Sequence, residues 1–393
     1  MVDVQGRVEP GFERVRDAFA ANFEQHRDVG AAFCLHVGGR NVVDLWGGVA
    51  DLDSGRPWEE DTIQLVFSTT KGATAMCALL LAERGQLDLD APVTDYWPEF
   101  GAAGKDRIPV RWLLSHRCGL PVVDETPALD DILQWDPIVA ALAASAPVWE
   151  PGTDHGYHAL TYGWLVGEVV RRVSGRSLGT FFADEIAGPL GLDFWIGLPP
   201  AQARRVSRLV AMKLGVDDPA ALESLGLPPE VLAVVRAFSD PSSLSMRALN
   251  LSGAFGAEDV WNDPSVHAAE VPAANGITNA RSLSRLYAAC VGEVDGMRLL
   301  SAETVKQATV AECDGPDRVL LAPSKFGLGF MLPSAFSPVG GPSSFGHYGA
   351  GGSLGYGDPD NEIGFGYVMN RMEANLTGDP RTLGLTEAVY ACL

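Results

Sequence analysis

The chain has 393 residues with 29 basic and 50 acidic side chains, a formal charge of −21. A surface of that sign repels phosphate backbones and anionic membranes, which excludes nucleic acid and lipid surfaces as expected partners and favours neutral or cationic small molecules. Hydrophobic residues at 47% and charged residues at 20% are an ordinary globular balance, and at roughly 100 to 200 residues per domain the length predicts two domains or more.

The opening stretch, MVDVQGRVEPGFERVRDAFAANF, has no basic start, apolar run or small-residue cleavage site of an export signal. No apolar run reaches the roughly 18 residues that span a bilayer. Six cysteines are scattered without a Cys-x-x-Cys pair, which reads as reduced thiols in a cytoplasmic protein.

From Gly11 to His26, Phe12, Val15, Phe19 and Phe23 fall on one face of an amphipathic helix. AAFCLHV and VVDLWGG, joined across Gly38-Gly39, are a hairpin signal. Extended IQLVF then enters a buried Ala/Leu helix over Ala73–Arg84, ended by Gly85. LLSHRCGL reads as a structural stretch whose Gly119 closes a helix. Further helices follow over Leu160–Ser174, ended by Gly175, over SLGTFFADEIAGPLGL, and over Ser282–Val291. Pro199 to His267, rich in Pro, Ala and Ser, reads as an insertion beside a cleft. The last third turns to short Gly- and aromatic-rich runs, KFGLGFML, SSFGHYGAGGSLGYGDP and IGFGYVMN, expected as antiparallel strands. DPRTLGLTEAVYACL closes the chain as a helix capped by Asp379 or Thr382.

Strands at both ends with helices between predict an α/β chain of the α+β type: an antiparallel sheet flanked by helices, built from 1–115 and 270–393, with a mostly helical domain, 116–269, inserted.

Ser68 and Lys71 stand three apart where strand gives way to helix. Residues so spaced share a helix face, about 5 to 6 Å apart at Cβ, so the amine can reach the hydroxyl. In the first turn Ser68 lies at the positive end of the helix, whose free N–H groups can hold an oxyanion. Burial against the Ala/Leu run lowers the lysine pKa and frees its lone pair as a base. Tyr157, after a Pro-Gly turn and before a helix, is the matching phenol, with Tyr162 as competitor. The glycines of FGHYGAGGSLGYGDP permit close backbone approach to a ligand.

These elements occur in the order FSTTKG, LLSHRCGLP, PGTDHGYHALTYGWL, NGITNARSLSRLY, FGLGF, FGHYGAGGSLGYGDP, YVMN. Over nearly its whole length the chain resembles the serine β-lactamase and penicillin-binding-protein superfamily, most of all the class C branch and its relatives, the family VIII carboxylesterases. The resemblance implies that Ser68 is the acylated nucleophile, Lys71 its partner base and Tyr157 the tyrosine of Tyr-x-Asn. It puts His347-Tyr348-Gly349 on the substrate-binding Lys-Thr-Gly strand and makes the backbone N–H groups of Ser68 and Ala350 the oxyanion hole. Two positions depart from the pattern. Ala159 replaces the asparagine of Tyr-x-Asn, and His347 replaces the lysine, as a donor to substrate or a strand residue only. Losing those groups, on so acidic a chain, argues against an anionic substrate. The expectation is a serine carboxylesterase acting on short-chain neutral esters through an acyl-enzyme, with no metal and no cofactor. A β-lactamase or peptidase, an acyltransferase and a catalytically silent scaffold are the rivals.

Gly351-Gly-Ser353-Leu-Gly355 matches the Gly-x-Ser-x-Gly elbow of α/β-hydrolases, but a turn and strand follow it and no histidine comes after His347. His155 with His158, and His116 with Cys118, lack the further ligands that a zinc site requires and read as loop or cap residues.

Overall fold

The computed structural model describes residues 2–211 and 229–393. Twelve strands are labelled β1 Gln5–Val8, β2 Gly30–Val37, β3 Arg40–Asp51, β4 Arg56–Pro57, β5 Gln64–Leu65, β6 Phe194–Trp195, β7 Ile277–Thr278, β8 Cys313–Pro316, β9 Pro323–Phe326, β10 Phe345–Tyr348, β11 Leu354–Asp358 and β12 Ile363–Met369. The helices that bear on the site are labelled α1 Glu13–Gln25, α2 Thr70–Glu83, α3 Val110–Leu114, α4 Thr161–Ser174, α5 Ala280–Val291 and α6 Pro380–Tyr390.

The main sheet runs β1-β3-β2-β12-β11-β10, with β4 on β3, and its pairs are antiparallel. N-terminal and C-terminal strands therefore share one sheet, as the expected α/β architecture requires. Pleating sorts its residues by face. Tyr348, Leu354, Tyr367, Phe33 and Leu45 register opposite one another and pack with Phe19 and Val15 of α1 and Leu385 and Val389 of α6. His347, Gly355, Gly366 and Cys34 form the other face. There Gly355, Gly364 and Gly366 let α5 rest on the sheet, since a Cβ at Gly364 or Gly366 would strike the backbone of Ser284 or Ala280. The glycines of SLGYG and IGFGY thus set a helix-to-sheet distance.

Helix α2 is buried from Thr70 to Leu81 on every side, as a helix apolar all round must be, and packs against α4 and β10. It ends in a Schellman motif at Gly85, with Gln86 N–H on Leu81 O at 2.9 Å and Gly85 N–H on Ala82 O at 2.9 Å. Gly175, in the left-handed conformation, ends α4. A three-stranded sheet, β5-β7-β6, hydrogen-bonds 64–65 and 277–278 to 194–195, across the boundaries expected at 115 and 269. Among the described residues no helix is long and apolar enough to cross a membrane.

Two expectations need correction. Gly119 does not close a helix: α3 stops at Leu114, and His116 takes the left-handed position at φ +61°, with Arg117 N–H bonded to Trp112 O at 2.9 Å. KFGLGFML is not one strand. β9 ends at Phe326, and Gly327 N–H turns back onto Phe330 O at 3.0 Å, with Gly329 at φ +86° where a Cβ would strike Ala75 and Tyr162. Of the two caps expected for the C-terminal helix, the structure uses Asp379, which accepts from Arg381 N–H. Of the expected insertion, 212–228 lies outside the described residues; Trp261, from its far end, packs edge-to-face on Phe67 at 5.3 Å.

Candidate active site

Extended β5 passes through Val66, whose N–H bonds Gly276 O at 2.9 Å, into one turn of 3₁₀ helix, Phe67–Thr69, and then α2. Phe67 holds φ +44°, a conformation that costs a bulky residue energy and persists only where its surroundings enforce it. They do so from two sides. The ring is buried against Trp261, and Phe67 O accepts from Thr70 Oγ1 at 2.6 Å, which in turn accepts from Gly276 N–H at 2.9 Å. This turn presents Ser68, half-buried, at the N-terminal end of the helix, where backbone N–H groups have no intrahelical acceptor.

Lys71, one turn further on, is fully buried. Its Nζ lies 2.6 Å from Ala159 O, 2.9 Å from Ala273 O and 2.9 Å from Ser68 Oγ. Burial holds its pKa well below the usual lysine value. A neutral amine has two N–H bonds and one lone pair. With the amine neutral, the two carbonyls take the N–H bonds and the lone pair faces the Ser68 hydroxyl. Where Tyr-x-Asn would supply an amide, the main-chain carbonyl of Ala159 serves as acceptor.

Tyr157 is buried beside them, its ring 4.8 Å from Lys71 Nζ. Burial raises the phenol pKa, and a hydrogen bond with the Ser68 hydroxyl offsets only part of that rise, so the group is a protonated phenol. Its backbone is fixed from a distant segment: Tyr157 N–H donates to Asp317 Oδ1 at 3.0 Å. That carboxylate also accepts from Val319 and Leu320 N–H, both at 2.8 Å, and from Ser324 Oγ at 2.8 Å. The ring stacks on Phe326 at 5.9 Å and touches His116 at 5.1 Å. Tyr162 is buried without a hydrogen-bond partner for its hydroxyl among the described residues, its ring beside that of His116 at 5.2 Å. Its surroundings are those of a packing residue.

The turn between β10 and β11 closes the site. His347 points to the Ser68 side of the sheet, and its ring stands 6.0 Å from that of Tyr157. Its Nδ1 donates to Tyr348 O at 2.6 Å, so Nε2 carries a lone pair, buried and without a partner among the described residues. Burial lowers its pKa to about 3, and the ring is neutral. His347 is thus an acceptor here, not the donor that lysine would be. Tyr348, expected to touch substrate, does not line the site through its side chain: strand alternation turns it to the opposite face, where its hydroxyl donates to Pro338 O at 2.8 Å. Gly349 backs onto the Ser68 segment so closely that a Cβ would overlap Val66 O and Ser353 Oγ. Ala350 packs against the apolar cluster that includes Phe67. The turn's own bonds, Gly349 N–H to Ser353 O at 2.8 Å and Gly352 N–H to Gly349 O at 3.1 Å, do not use the Ala350 N–H. Ser353 is buried; it donates to Val66 O at 2.9 Å and meets Thr69 Oγ1 at 3.0 Å. It is a clamp between the turn and the Ser68 segment, not an exposed nucleophile.

The histidines have structural partners. His158 donates from Nδ1 to Gly156 O at 2.7 Å and accepts Leu120 N–H on Nε2 at 2.9 Å. His155 meets Ser324 Oγ at 3.0 Å, and His116 Nδ1 accepts from His158 N–H at 3.1 Å. Among the described residues no group of His, Cys, Asp or Glu could hold a metal ion. Sequence reasoning missed Ala273 and Asp317, and it read His116 as a loop or cap residue without its contact with the Tyr157 ring. The one local signal was for His116, at the end of a helix that stops before Gly119.

The family profile described as Beta-lactamase matches residues 15–389. The chain is 37% identical over 332 residues to the "Esterase/beta-lactamase LipL" of Mycobacterium tuberculosis, covering 83% of this chain and 74% of that one. Among solved structures, a family VIII carboxylesterase superposes with a TM-score of 0.87 at 40% identity, over 100% of both chains. A penicillin-binding protein homolog from Caulobacter crescentus gives 0.83 at 37% identity, again over 100% of both.

Proposed function

The chain belongs to the beta-lactamase family, and from that premise we propose that it is a serine carboxylesterase that hydrolyses short-chain neutral esters through an acyl-enzyme on Ser68. The observation that carries the reading is the buried Lys71 amine, held by two carbonyls with its remaining position 2.9 Å from Ser68 Oγ. Ser68 Oγ attacks the ester carbonyl and its proton passes to the Lys71 lone pair. The tetrahedral oxyanion is held by the N–H groups of Ser68 and Ala350; one such donor is worth roughly 2.7 to 4 kcal/mol. As the intermediate collapses, the alkoxide leaves with that proton, carried from Lys71 by way of the Tyr157 hydroxyl. The acyl group stays on Ser68. Water then attacks the acyl carbonyl, gives its proton to the same pair, and the carboxylic acid departs as Ser68 regains its hydrogen.

Two features favour a neutral ester. The lone pair of His347 Nε2 repels a carboxylate where a lysine would attract one, and the net charge of −21 acts in the same sense. An ester also loses an alkoxide more easily than an amide loses an amine. A β-lactamase activity is the second reading, favoured by the double description of the Mycobacterium tuberculosis relative. The test compares kcat/KM for p-nitrophenyl butyrate and for a cephalosporin. The ester is expected to exceed the lactam by several orders of magnitude; comparable values overturn the assignment.

A further inference from the structure

Arg381, in the first turn of α6, is fully buried, as are its partners Asp28 and Asp379. Its Nη1 donates to Asp28 Oδ1 at 2.8 Å and its Nε to Asp379 Oδ1 at 2.9 Å. Tyr367 donates to the second oxygen of Asp28 at 2.5 Å. A buried ion pair of this kind costs desolvation energy and is weak evidence for stability alone. The guanidinium makes two more contacts, outside the ion cluster: Nη1 donates to Arg371 O at 2.9 Å, and Nη2 donates to Gly351 O, in the turn that carries Ala350.

From there the hydrogen bonds form an unbroken line. Gly351 O belongs to the same peptide group as Gly352 N–H, and that N–H donates to Gly349 O at 3.1 Å. Gly349 O in turn belongs to the peptide group of Ala350 N–H. Hydrogen bonds in series polarise one another, by about 10 to 30% per bond in condensed phase. A cation at the head of the line draws electron density away from each successive N–H. The glycine at 352 is what admits it, since a Cβ there would collide with Arg381 Nη2 and Asp379.

We propose that Arg381 is a positioning residue for the oxyanion hole, fixing the 349–353 turn and polarising the Ala350 N–H through two peptide groups. The proposal rests on the reading of Ala350 N–H as an oxyanion donor. Arg381 touches no substrate, so its effect appears in the transition state and in the acyl carbonyl, not in substrate binding. A structural anchor alone would lower melting temperature without changing the carbonyl of the folded enzyme.

The test is the carbonyl stretch of the acyl-enzyme formed with a carbon-13 carbonyl-labelled cinnamoyl ester, recorded by difference Raman spectroscopy on the full chain. In the wild type the stretch is expected below that of the same acyl-enzyme unfolded in denaturant. In folded Arg381→Gln it should move back toward the unfolded value, with kcat lowered about tenfold and KM within about twofold, a fraction of the loss for removing a whole donor. Wild-type frequency and kcat in folded Arg381→Gln overturn the proposal while leaving the oxyanion reading intact. If the wild type itself has no lowered stretch, the reading of Ala350 fails and this proposal with it. Should Arg381→Gln not fold, Arg381→Lys takes its place. It keeps a cation for the two aspartates but loses the planar fork that also reaches Gly351 O, so an upward shift is expected and an unchanged stretch overturns the proposal.

Discussion

Replacing Lys71 by methionine removes the amine while keeping a side chain of similar length and apolar volume. Two consequences can be sized. Loss of a positioned base costs about 10² to 10⁴ in rate, or about 3 to 5 kcal/mol at 1.36 kcal/mol per decade. Ala159 O and Ala273 O, which accept from Nζ at 2.6 and 2.9 Å, lose their donor inside the protein. Each orphaned carbonyl costs about 1 to 3 kcal/mol, offset in part because no amine need be buried. A folded but less stable and nearly inactive enzyme is expected. Lys71→Arg should fail equally, because a guanidinium stays protonated. The pH profile supplies the sign. Burial lowers the Lys71 pKa, so the amine is neutral above that lowered value and protonated below it. Wild-type kcat/KM on p-nitrophenyl butyrate should therefore rise with pH through the lowered pKa and then level. The residual activity of Lys71→Met should lack that acid limb. Folded variants within tenfold of wild-type kcat, or an unchanged acid limb in Lys71→Met, would refute the assignment of Lys71 as base.

Two other perturbations follow from the same geometry. Tyr157→Phe removes the phenol that hydrogen-bonds Ser68 and should lower kcat by several orders of magnitude, with the Lys71→Met, Tyr157→Phe double variant scarcely worse than either single one; Tyr162→Phe, which loses a hydroxyl without a partner, should be mild. The reverse order of the two tyrosine variants on one ester would move the role to Tyr162. Gly349→Ala would set a methyl group against Val66 O and Ser353 Oγ, pushing the Ala350 turn off the Ser68 segment. A fall in kcat of about 10² or more is expected, with the fold checked by circular dichroism, and near-normal turnover would mean that the turn does not position an oxyanion donor.

What the sequence disclosed was local in kind. The contact between Ser68 and Lys71 was legible because residues three apart share a helix face, and the Ala/Leu run marked that helix as buried. Gly85 and Gly175 were legible as helix ends because their left-handed conformation is a local property. Tyr348 was misread because a three-residue motif was carried over as a unit, whereas a strand shows alternate residues to opposite faces. The break after Phe326 was hidden because FGLGF alternates like a strand, while the turn from Gly327 to Phe330 sets Gly329 at φ +86° against Ala75 and Tyr162. Asp317 could not be found at all: it meets the Tyr157 backbone across 160 residues of sequence, and no periodicity records such a contact. Ser353 offered a misleading signal, since Gly-x-Ser-x-Gly here marks a close-packed turn and not a nucleophile.

Labelling with a fluorophosphonate, followed by peptide mass spectrometry, tests the central claim most directly. One adduct is expected, on the peptide holding Ser68, with loss of esterase activity in step with labelling. Neither adduct nor activity should survive in Ser68→Ala, while Ser353→Ala, still labelled on Ser68, should keep a substantial fraction of its activity. An adduct on Ser353, or ester hydrolysis undiminished in Ser68→Ala, would contradict the account.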